Sequence, residues 1–296
     1  MIDVAVKLDA PAELTPNDDL STDYIRHFSD KNVAKSYAKK FNSRIERLRH
    51  LCEVAAVKPL LKGKLLDCSV GTGRFIKHLD KVTDFYASDT SPAFIAYINR
   101  NYPFVETKLG DLRAPLDYAS ESFDSVFSMR TLFAIGPIGT ALHEMERICK
   151  PGGVFIFDYP STSKKKKLKP KSESGEINWK YLGEKQESPD VILDSMSNVT
   201  YEKLPLDMFL HFVKSSRKVV QNESTKQMSL WQIIKFIRRN FVTLFFNSKF
   251  NFLPDRFWVW YEGMSHKYHV LSFKPKQSRR CRRYLYVCRK QAAVKE

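Results

Sequence analysis

The fold of this chain is decided by one stretch, LLDCSVGTGRF at residues 65–75. Its apolar start ends at Asp67, and the small residues that follow include Gly71 and Gly73, which have no Cβ and let a ligand approach the backbone closely. The pattern predicts a strand, a tight turn and a helix that begins near Thr72, whose first N–H groups lack partners. A nucleotide-like ligand is expected at the carboxyl end of the strand.

A dinucleotide-binding turn is the main competing interpretation of this stretch. It would need a third glycine at position 76, where this chain has Ile76. The carboxylate of Asp67, directly before the turn, would also repel a pyrophosphate. The stretch therefore favours a ligand that carries a positively charged amino group.

Strand and helix patterns alternate at short intervals between residues 63 and 160. Ser91 is expected to cap one of the helices, because Pro92 follows it at the first helical position. Strands are predicted at 64–69, 84–89, 104–111, 123–129 and 154–160, and helices at 72–80, 91–102 and 138–149. Short strands that alternate with helices predict a parallel sheet with helices on both faces.

Taken together, these motifs resemble the class I S-adenosylmethionine-dependent methyltransferases, in particular the type called methyltransferase domain 11, over roughly residues 35–160 plus two terminal strands. Residues 67–73 correspond to the family's acid-x-Gly-x-Gly-x-Gly motif, with Ser69 in place of the first glycine. HEMERICKPGGVFIFDYP at 143–160 is similar to the family's signature before its fifth strand. The resemblance implies an α/β Rossmann-like fold: a mostly parallel seven-stranded sheet, helices on both faces and an insertion after strand five.

The resemblance also implies the cofactor, S-adenosylmethionine, with S-adenosylhomocysteine as the product. Asp89 would accept hydrogen bonds from both ribose hydroxyls, and Asp111 would contact the adenine amino group with Leu112 beside the ring. Tyr37 would close over the methionine carboxylate, although a packed tyrosine at helical spacing explains it equally well. The cofactor-binding residues so implied are Tyr37, Asp67, Ser69, Gly71, Gly73, Asp89, Thr90, Asp111, Leu112, Ser128, Met129 and Arg130.

The methyl acceptor is less constrained, because methyl transfer asks the protein mainly to align the nucleophile and, for an oxygen acceptor, to remove a proton. The candidate bases are Asp158, His143, His266, His269 and His211, each of which a structural or surface role explains as well. A small molecule, sugar or glycan, phosphorylated or lipid-linked, is the expected acceptor. An RNA methyltransferase and a non-catalytic binding protein with this fold are the alternatives.

The charge of the chain is uneven. Lys and Arg number 49 against 33 Asp and Glu, a formal net charge of +16, while residues 1–30 carry a net charge of −5. Residues 274–290 contain eight basic residues and no acid. Such a field favours anionic partners such as RNA, an anionic membrane surface or a phosphorylated glycan. A basic, soluble surface without a specific polyanion partner accounts for it equally well.

Location and metal content are inferred from absent patterns. The sequence has no run of 18 apolar residues and no secretory signal pattern, so no transmembrane segment is expected. Five cysteines without a CxxC pair argue against a disulfide framework and against a structural metal site. We expect a cytoplasmic protein. The basic, apolar residues 229–246 leave peripheral contact with an anionic membrane open.

The composition and the residue pattern divide the chain into four expected parts. They are a loose leader at 1–22, N-terminal helices with the cofactor-binding half at 23–160, a basic and aromatic substrate-covering insertion at 161–260, and C-terminal strands at 261–296. The last part would complete the sheet with strands at 268–273 and 282–290.

Overall fold

The computed structural model describes residues 26–27, 44–79, 84–160, 188–206, 253–268 and 283–292, with the backbone alone for 262–268. The helices are α1 Arg44–Val57, α2 Pro92–Asn101, α3 Ile138–Ile148, α4 Pro189–Ser195 and α5 Asp255–Tyr268. The strands are β1 Leu65–Asp67, β2 Phe85–Asp89, β3 Glu106–Leu109, β4 Phe123–Ser128, β5 Cys149–Pro160, β6 Val199–Leu206 and β7 Arg283–Lys290. Short 3₁₀ turns span Lys58–Leu60, Ile76–His78 and Leu132–Ala134.

The described strands form a seven-stranded sheet in the order β3-β2-β1-β4-β5-β7-β6. Strands β1 to β5 pair in parallel, and β7 runs antiparallel to both β5 and β6. In the register of the central pairs, Asp67 lies beside Ala87 on one side and Phe127 on the other. The mostly parallel, Rossmann-like sheet predicted from the sequence is confirmed.

The sheet is buried on both faces, which is why its central strands are nearly continuous apolar runs. Successive side chains of a strand point to opposite faces, and Leu65 and Leu66 accordingly belong to two different core clusters. One cluster includes residues of α3 and α4, and the other includes residues of α1 and α2. Helices therefore cover both faces, as the alternating pattern predicts.

Helix α2 begins as the sequence predicts. The Oγ of Ser91 accepts the N–H of Phe94 at 3.3 Å, and Pro92 occupies the first helical position. This side-chain cap satisfies one of the N–H groups that a helix start leaves without an intrahelical partner. It fixes α2 directly after Asp89, the last residue of β2.

The predicted helix at 72–80 is wrong within the described residues. The chain turns through 71–75 and makes only the 3₁₀ turn Ile76–His78. Gly71 and Gly73 have φ angles of +51° and +70°, in the left-handed region. A right-handed helix cannot start through those values, so the turn is extended and the expected helix start near Thr72 is absent.

The predicted division of the chain after strand five needs a correction. The strand beside β7 is Val199–Leu206, inside the segment assigned to the insertion, whereas Tyr268 ends helix α5 and residues 269–273 lie outside the described residues. Residues 161–260 therefore supply a strand of the sheet. The sequence VTYEKLPL does not predict this strand, because β6 is an edge strand of the sheet. Several of its side chains, such as those of Glu202 and Lys203, are exposed, which weakens the apolar pattern.

Helices α1 and α5 pack against each other. Leu48 and Trp258 are buried together, at 0% and 1% exposure. Asp255 accepts hydrogen bonds from Arg44 at 3.3 Å and Arg47 at 2.9 Å. Among the helices that the structure describes, none combines the length and apolar character needed to cross a bilayer.

Candidate functional site

A cleft of about 700 Å³, counted to its open mouth, lies at the carboxyl ends of β1, β2 and β4. The sheet order reverses direction at this edge, where ligands of open α/β sheets bind. The residues that line it are Cys68, Ser69, Val70, Gly71, Thr72, Arg74, Asp89, Thr90, Phe94, Gly110, Asp111, Leu112, Met129, Arg130, Thr131 and Ile135.

The turn after β1 is held by its neighbours on both sides. Cys68 donates its N–H to the Phe127 carbonyl at 2.8 Å, and Val70 donates to the Ser88 carbonyl at 3.1 Å. The N–H of Ser69 donates to Oδ1 of Asp67 at 3.1 Å. The turn is therefore tied to β2, to β4 and to the buried carboxylate that precedes it.

Gly71 and Gly73 have different roles in this turn: one faces the cleft and the other packs against α2. A Cβ added to Gly71 would meet nothing closer than the Ser69 carbonyl oxygen at 4.0 Å, so the backbone is open toward the cleft. A Cβ added to Gly73 would lie 2.7 Å from Ile98 and 3.0 Å from Tyr102. Gly73 is absent from the cleft lining and instead lets the turn pack against α2.

Asp89 joins this turn to the end of β2. Its Oδ2 accepts the N–H of Gly71 at 2.8 Å, and its Oδ1 accepts the N–H of Ser91 at 2.9 Å. Each oxygen of an ionised carboxylate can accept about two hydrogen bonds. The carboxylate thus orders the open glycine while retaining capacity for further donors from the cleft.

Burial sets the ionisation of both carboxylates. It raises the pKa of Asp67 to about 7, against the opposing hydrogen bond from Ser69, and the nearby charge of Asp89 adds to the increase. It also raises the pKa of Asp89 to about 6, opposed by the N–H groups of Ser91 and Gly71. Asp89 lines the cleft, whereas Asp67 is 3% exposed and is absent from the cleft lining. A raised carboxyl pKa in a cleft marks a candidate functional group, which here is Asp89.

The predicted adenine-side residues lie at the cleft but are differently engaged. Both oxygens of Asp111 accept hydrogen bonds from Arg113, the shortest at 2.7 Å from Nη2. Leu112 is 3% exposed and offers an apolar surface. Thr90 lines the same side of the cleft.

The end of β4 forms the opposite wall. Ser128 is fully buried behind this wall, with its Oγ 2.8 Å from that of Ser69. Met129, Arg130 and Thr131 follow it and line the cleft. Ser128 is therefore placed to support the turn after β1, with no exposed surface for a ligand.

The structure separates the predicted bases. His143 is exposed on α3 and does not line the cleft. Asp158 is fully buried, and its two oxygens accept hydrogen bonds from the Arg130 N–H and from Arg283. Burial raises the pKa of Asp158, against the opposing charge of Arg283. Tyr37, His211, His269 and the side chain of His266 lie outside the described residues.

An ionic cluster that the sequence analysis does not predict lies next to the cleft. Glu53 of α1 is 1% exposed, 2.9 Å from Arg130 Nε, 2.5 Å from Arg283 Nη2 and 3.9 Å from Arg74 Nη1. Burial alone would raise the pKa of Glu53, but the charges of Arg130 and Arg283 outweigh it and hold that pKa well below its usual range. The only sequence signal for this cluster is the spacing of Glu46, His50 and Glu53, four and three residues apart, which places them on one face of a helix. The structure shows that this face is buried.

Comparisons with known proteins point to one family. The family model for a methyltransferase domain matches residues 66–157. The malonyl-[acyl-carrier protein] O-methyltransferase of Halorhodospira halophila is 30% identical over 118 residues, 38% of this chain and 39% of that protein. The chain thus spans about two-fifths of the length of that curated relative.

Two solved structures complete the comparison. An S-adenosylmethionine-dependent methyltransferase of Thermotoga maritima is 28% identical, covering 44% of this chain and 59% of that one, with a TM-score of 0.38. The amino pentose methyltransferase of Micromonospora echinaspora, solved with S-adenosylmethionine bound, is 22% identical. It covers 42% of this chain and 53% of that one, with a TM-score of 0.34.

Proposed function

We propose that this chain transfers a methyl group from S-adenosylmethionine to a small-molecule acceptor, because residues 66–157 match the family model for a methyltransferase domain. The observation that carries the proposal is the pairing of an open glycine, Gly71, with the buried carboxylate of Asp89 that orders it. Both line the cleft, Gly71 in the turn after β1 and Asp89 as the last residue of the neighbouring parallel strand β2.

The residues present fit S-adenosylmethionine. The space that a Cβ would fill at Gly71 is free, which suits a ligand resting on the backbone of the turn. Asp89 has acceptor capacity left for the two hydroxyls of a ribose. Asp67 is a buried carboxylate outside the cleft lining, so it would favour a positively charged amino group through its charge, from behind the turn. Leu112 and Met129 line the cleft and offer apolar surface to an adenine ring or a thioether.

When bound, S-adenosylmethionine supplies a methyl group already activated by its positively charged sulfur. The protein's own residues then have to bind, orient and exclude water. Asp89 and the turn after β1 would fix the donor, and the wall formed by Met129 and Arg130 would limit the direction from which a nucleophile approaches. Alignment of this kind contributes a large part of the rate of such transfers.

For Asp111, Gly73 and Ser128 the proposal is narrower. Asp111 would have to release part of its contact with Arg113 before it could accept an adenine amino group. Gly73 and Ser128 would act on the cofactor only indirectly, by letting the turn pack on α2 and by holding Ser69.

The first acceptor to test is a malonyl thioester. The curated relative is a malonyl-[acyl-carrier protein] O-methyltransferase, 30% identical to this chain over 118 residues. A carboxylate acceptor is already ionised at neutral pH, so its methylation needs no proton removed. That agrees with Asp158, the predicted base at the end of β5, being held by Arg283 and the Arg130 N–H.

An RNA acceptor is the second candidate, favoured by the net charge of +16. Two of the eight basic residues at 274–290 weigh against a phosphate track there. Arg283 is tied to Glu53 and Asp158, and Lys290 pairs with Glu146 at 3.0 Å and with Glu121 at 3.4 Å. An RNA-binding form would lose affinity steeply with salt, with a slope that counts phosphate contacts.

The test is transfer of labelled methyl from S-adenosylmethionine to malonyl-coenzyme A, to a sugar nucleotide and to total RNA, each with and without the protein. Base-labile label on the malonyl thioester is the expected result. Label on the sugar or the RNA alone would redirect the acceptor assignment. If no acceptor is labelled by protein that also fails to bind S-adenosylmethionine, the proposal is contradicted.

A further inference from the structure

The wall of the cleft turns at a residue in an unfavourable conformation. Arg130 follows β4 with a φ of +64°, in the left-handed region that residues with a side chain rarely occupy. Arg130 and its neighbours Met129 and Thr131 line the cleft. Such a conformation persists only where the surroundings hold it, so the shape of this wall depends on the contacts of Arg130.

Carboxylates hold Arg130 at both its backbone and its side chain, where Glu46 also lies 3.5 Å from Nη1. Its backbone N–H donates to Oδ1 of Asp158, and its side-chain Nε donates to Oε1 of Glu53 at 2.9 Å. Arg283 ties these carboxylates together, because Nη1 donates to Oδ2 of Asp158 at 2.6 Å and Nη2 donates to Oε1 of Glu53 at 2.5 Å. Glu53, Arg130, Asp158 and Arg283 thus form a closed ring, here called the arginine clamp.

The clamp joins four elements that are far apart in the chain. Its members come from α1, the end of β4, the end of β5 and the start of β7. The side chains are 1% exposed at Glu53, 0% at Asp158, 12% at Arg130 and 13% at Arg283. Charge pairs screened this little by water hold their geometry more firmly than surface pairs do.

We propose that Glu53 is a positioning residue of the cleft: through Arg130 and through Arg283 it fixes the left-handed turn that shapes the wall opposite Gly71. The inference rests on the proposed function, because that wall matters only if the cleft holds the methyl donor. Glu53 acts from α1 without lining the cleft itself. Two residues of the cleft lining contact it, Arg130 at 2.9 Å and Arg74 at 3.9 Å. The test examines how much of its effect on binding passes through Arg130.

The test compares Glu53→Gln, Arg130→Gly and the double variant by titration with S-adenosylhomocysteine and by hydrogen exchange of the Arg130 amide. Glycine suits a φ of +64°, so Arg130→Gly removes both the strain and the need for the clamp. Glu53→Gln alone should weaken binding about tenfold, since bonds to charged groups are worth that much. In the Arg130→Gly background the same change should alter affinity by less than about twofold, because the two act as one unit.

Amide exchange gives a second readout that needs no ligand. The Arg130 N–H donates to a fully buried carboxylate, and Glu53→Gln should speed its exchange at least about tenfold while amides of β1 stay protected. A general loss of stability would instead speed exchange throughout the sheet. That difference separates positioning from a merely structural role.

Two further variants keep the test decisive. Arg47→Gln removes a half-exposed arginine of the same helix, which pairs with Asp255, and should leave both readouts unchanged. If Glu53→Gln does not fold, Arg283→Lys replaces it, since lysine keeps the charge but cannot bridge both carboxylates as the planar guanidinium does. Arg283→Lys should weaken binding about threefold, in the direction of Glu53→Gln.

The outcomes are distinguishable. Native affinity together with native Arg130 exchange in Glu53→Gln overturns the proposal, as does a full additional loss in the double variant. Failure of the unaltered protein to bind S-adenosylhomocysteine would overturn the proposed function instead. In that case the exchange of the Arg130 amide in unliganded Glu53→Gln still decides whether Glu53 holds the turn.

Discussion

The two walls of the cleft hold buried carboxylates in opposite ways. On the wall built by β1 and β2, Asp67 and Asp89 are met by backbone N–H groups, and their pKa values are raised to about 7 and about 6. Behind the other wall, Glu53 is met by guanidinium groups, and its pKa lies well below its usual range. Backbone amides compensate the burial of Asp67 and Asp89 only in part, whereas the charges of Arg130 and Arg283 more than compensate the burial of Glu53. Asp158, behind the same wall as Glu53, is intermediate: Arg283 opposes its burial, but its pKa remains raised.

We call the wall built by β1 and β2 the binding wall, and the wall after β4, with the carboxylates behind it, the holding wall. Asp89 keeps acceptor capacity that a ligand can use, while Glu53 and Asp158 have committed theirs to Arg130 and Arg283. Changes on the first wall should therefore alter ligand affinity directly. Changes behind the second should act through the shape of the Arg130 turn.

The largest effect is expected on the binding wall, from Asp89→Ala. It removes a carboxylate expected to accept two hydroxyl hydrogen bonds and releases the N–H of Gly71. Affinity for S-adenosylhomocysteine should fall about 100-fold, roughly 3 kcal/mol, by calorimetric titration. Asp84→Ala, an exposed aspartate immediately before the same strand, is the matched control and should bind normally. Equal affinity of the two variants would remove Asp89 from the site.

The next effect is on stability, from Gly73→Ala. The new Cβ would lie within 3.0 Å of side chains of α2, the 3₁₀ turn and Tyr102, at a φ of +70°. Overpacking and left-handed strain together should cost about 2 kcal/mol, measured by denaturant unfolding. Gly71→Ala meets open space and should cost only about 1 kcal/mol of stability, the strain alone. If Gly73→Ala proved the milder change, the packing assigned to this turn would be wrong.

The dependence of binding on pH should be smaller and has a definite sign. Only the ionised form of Asp89 offers all its acceptor positions, and its pKa in the free protein is about 6. Affinity for S-adenosylhomocysteine should be present above that value and lost as pH falls through it. The loss should reach about tenfold between about pH 7.5 and about pH 5. Asp89→Ala should remove the step near pH 6, and a dependence that survives near pH 7 would point to Asp67, whose pKa is raised to about 7.

The smallest expected effect concerns the bond between the walls. Ser69→Ala and Ser128→Ala each remove one partner of the 2.8 Å hydroxyl contact that joins the turn after β1 to β4. A neutral hydrogen bond contributes about 1 kcal/mol, so each change should weaken binding of S-adenosylhomocysteine by about fivefold or less. In a double-mutant cycle the pair should cost little more than either alone. Additive losses would mean that the two hydroxyls act separately.

The binding wall could be read from the sequence because its signals are local. Asp67, Gly71 and Gly73 lie within seven residues, and Asp89 follows at the next strand end. The apolar strand patterns predict most of the sheet, and Ser91 with Pro92 predicts the start of α2. The helix predicted at 72–80 was wrong because helical spacing does not reveal the positive φ values that the two glycines adopt.

The holding wall could not be read in the same way. Glu53 and Arg283 are 230 residues apart, and no local pattern pairs them. The positive φ of Arg130 is likewise imposed by tertiary contacts rather than by its residue type. The assignment of β6 to the insertion has a similar cause. An edge strand with exposed Glu202 and Lys203 has little apolar pattern, and its partner β7 lies far along the chain.

The most direct test of the central claim, that this cleft holds S-adenosylmethionine, is calorimetric titration of the unaltered protein with S-adenosylhomocysteine near neutral pH. The account predicts saturable one-site binding with a dissociation constant on the order of micromolar, equivalent to about 8 kcal/mol. The absence of saturable binding by folded protein would contradict it.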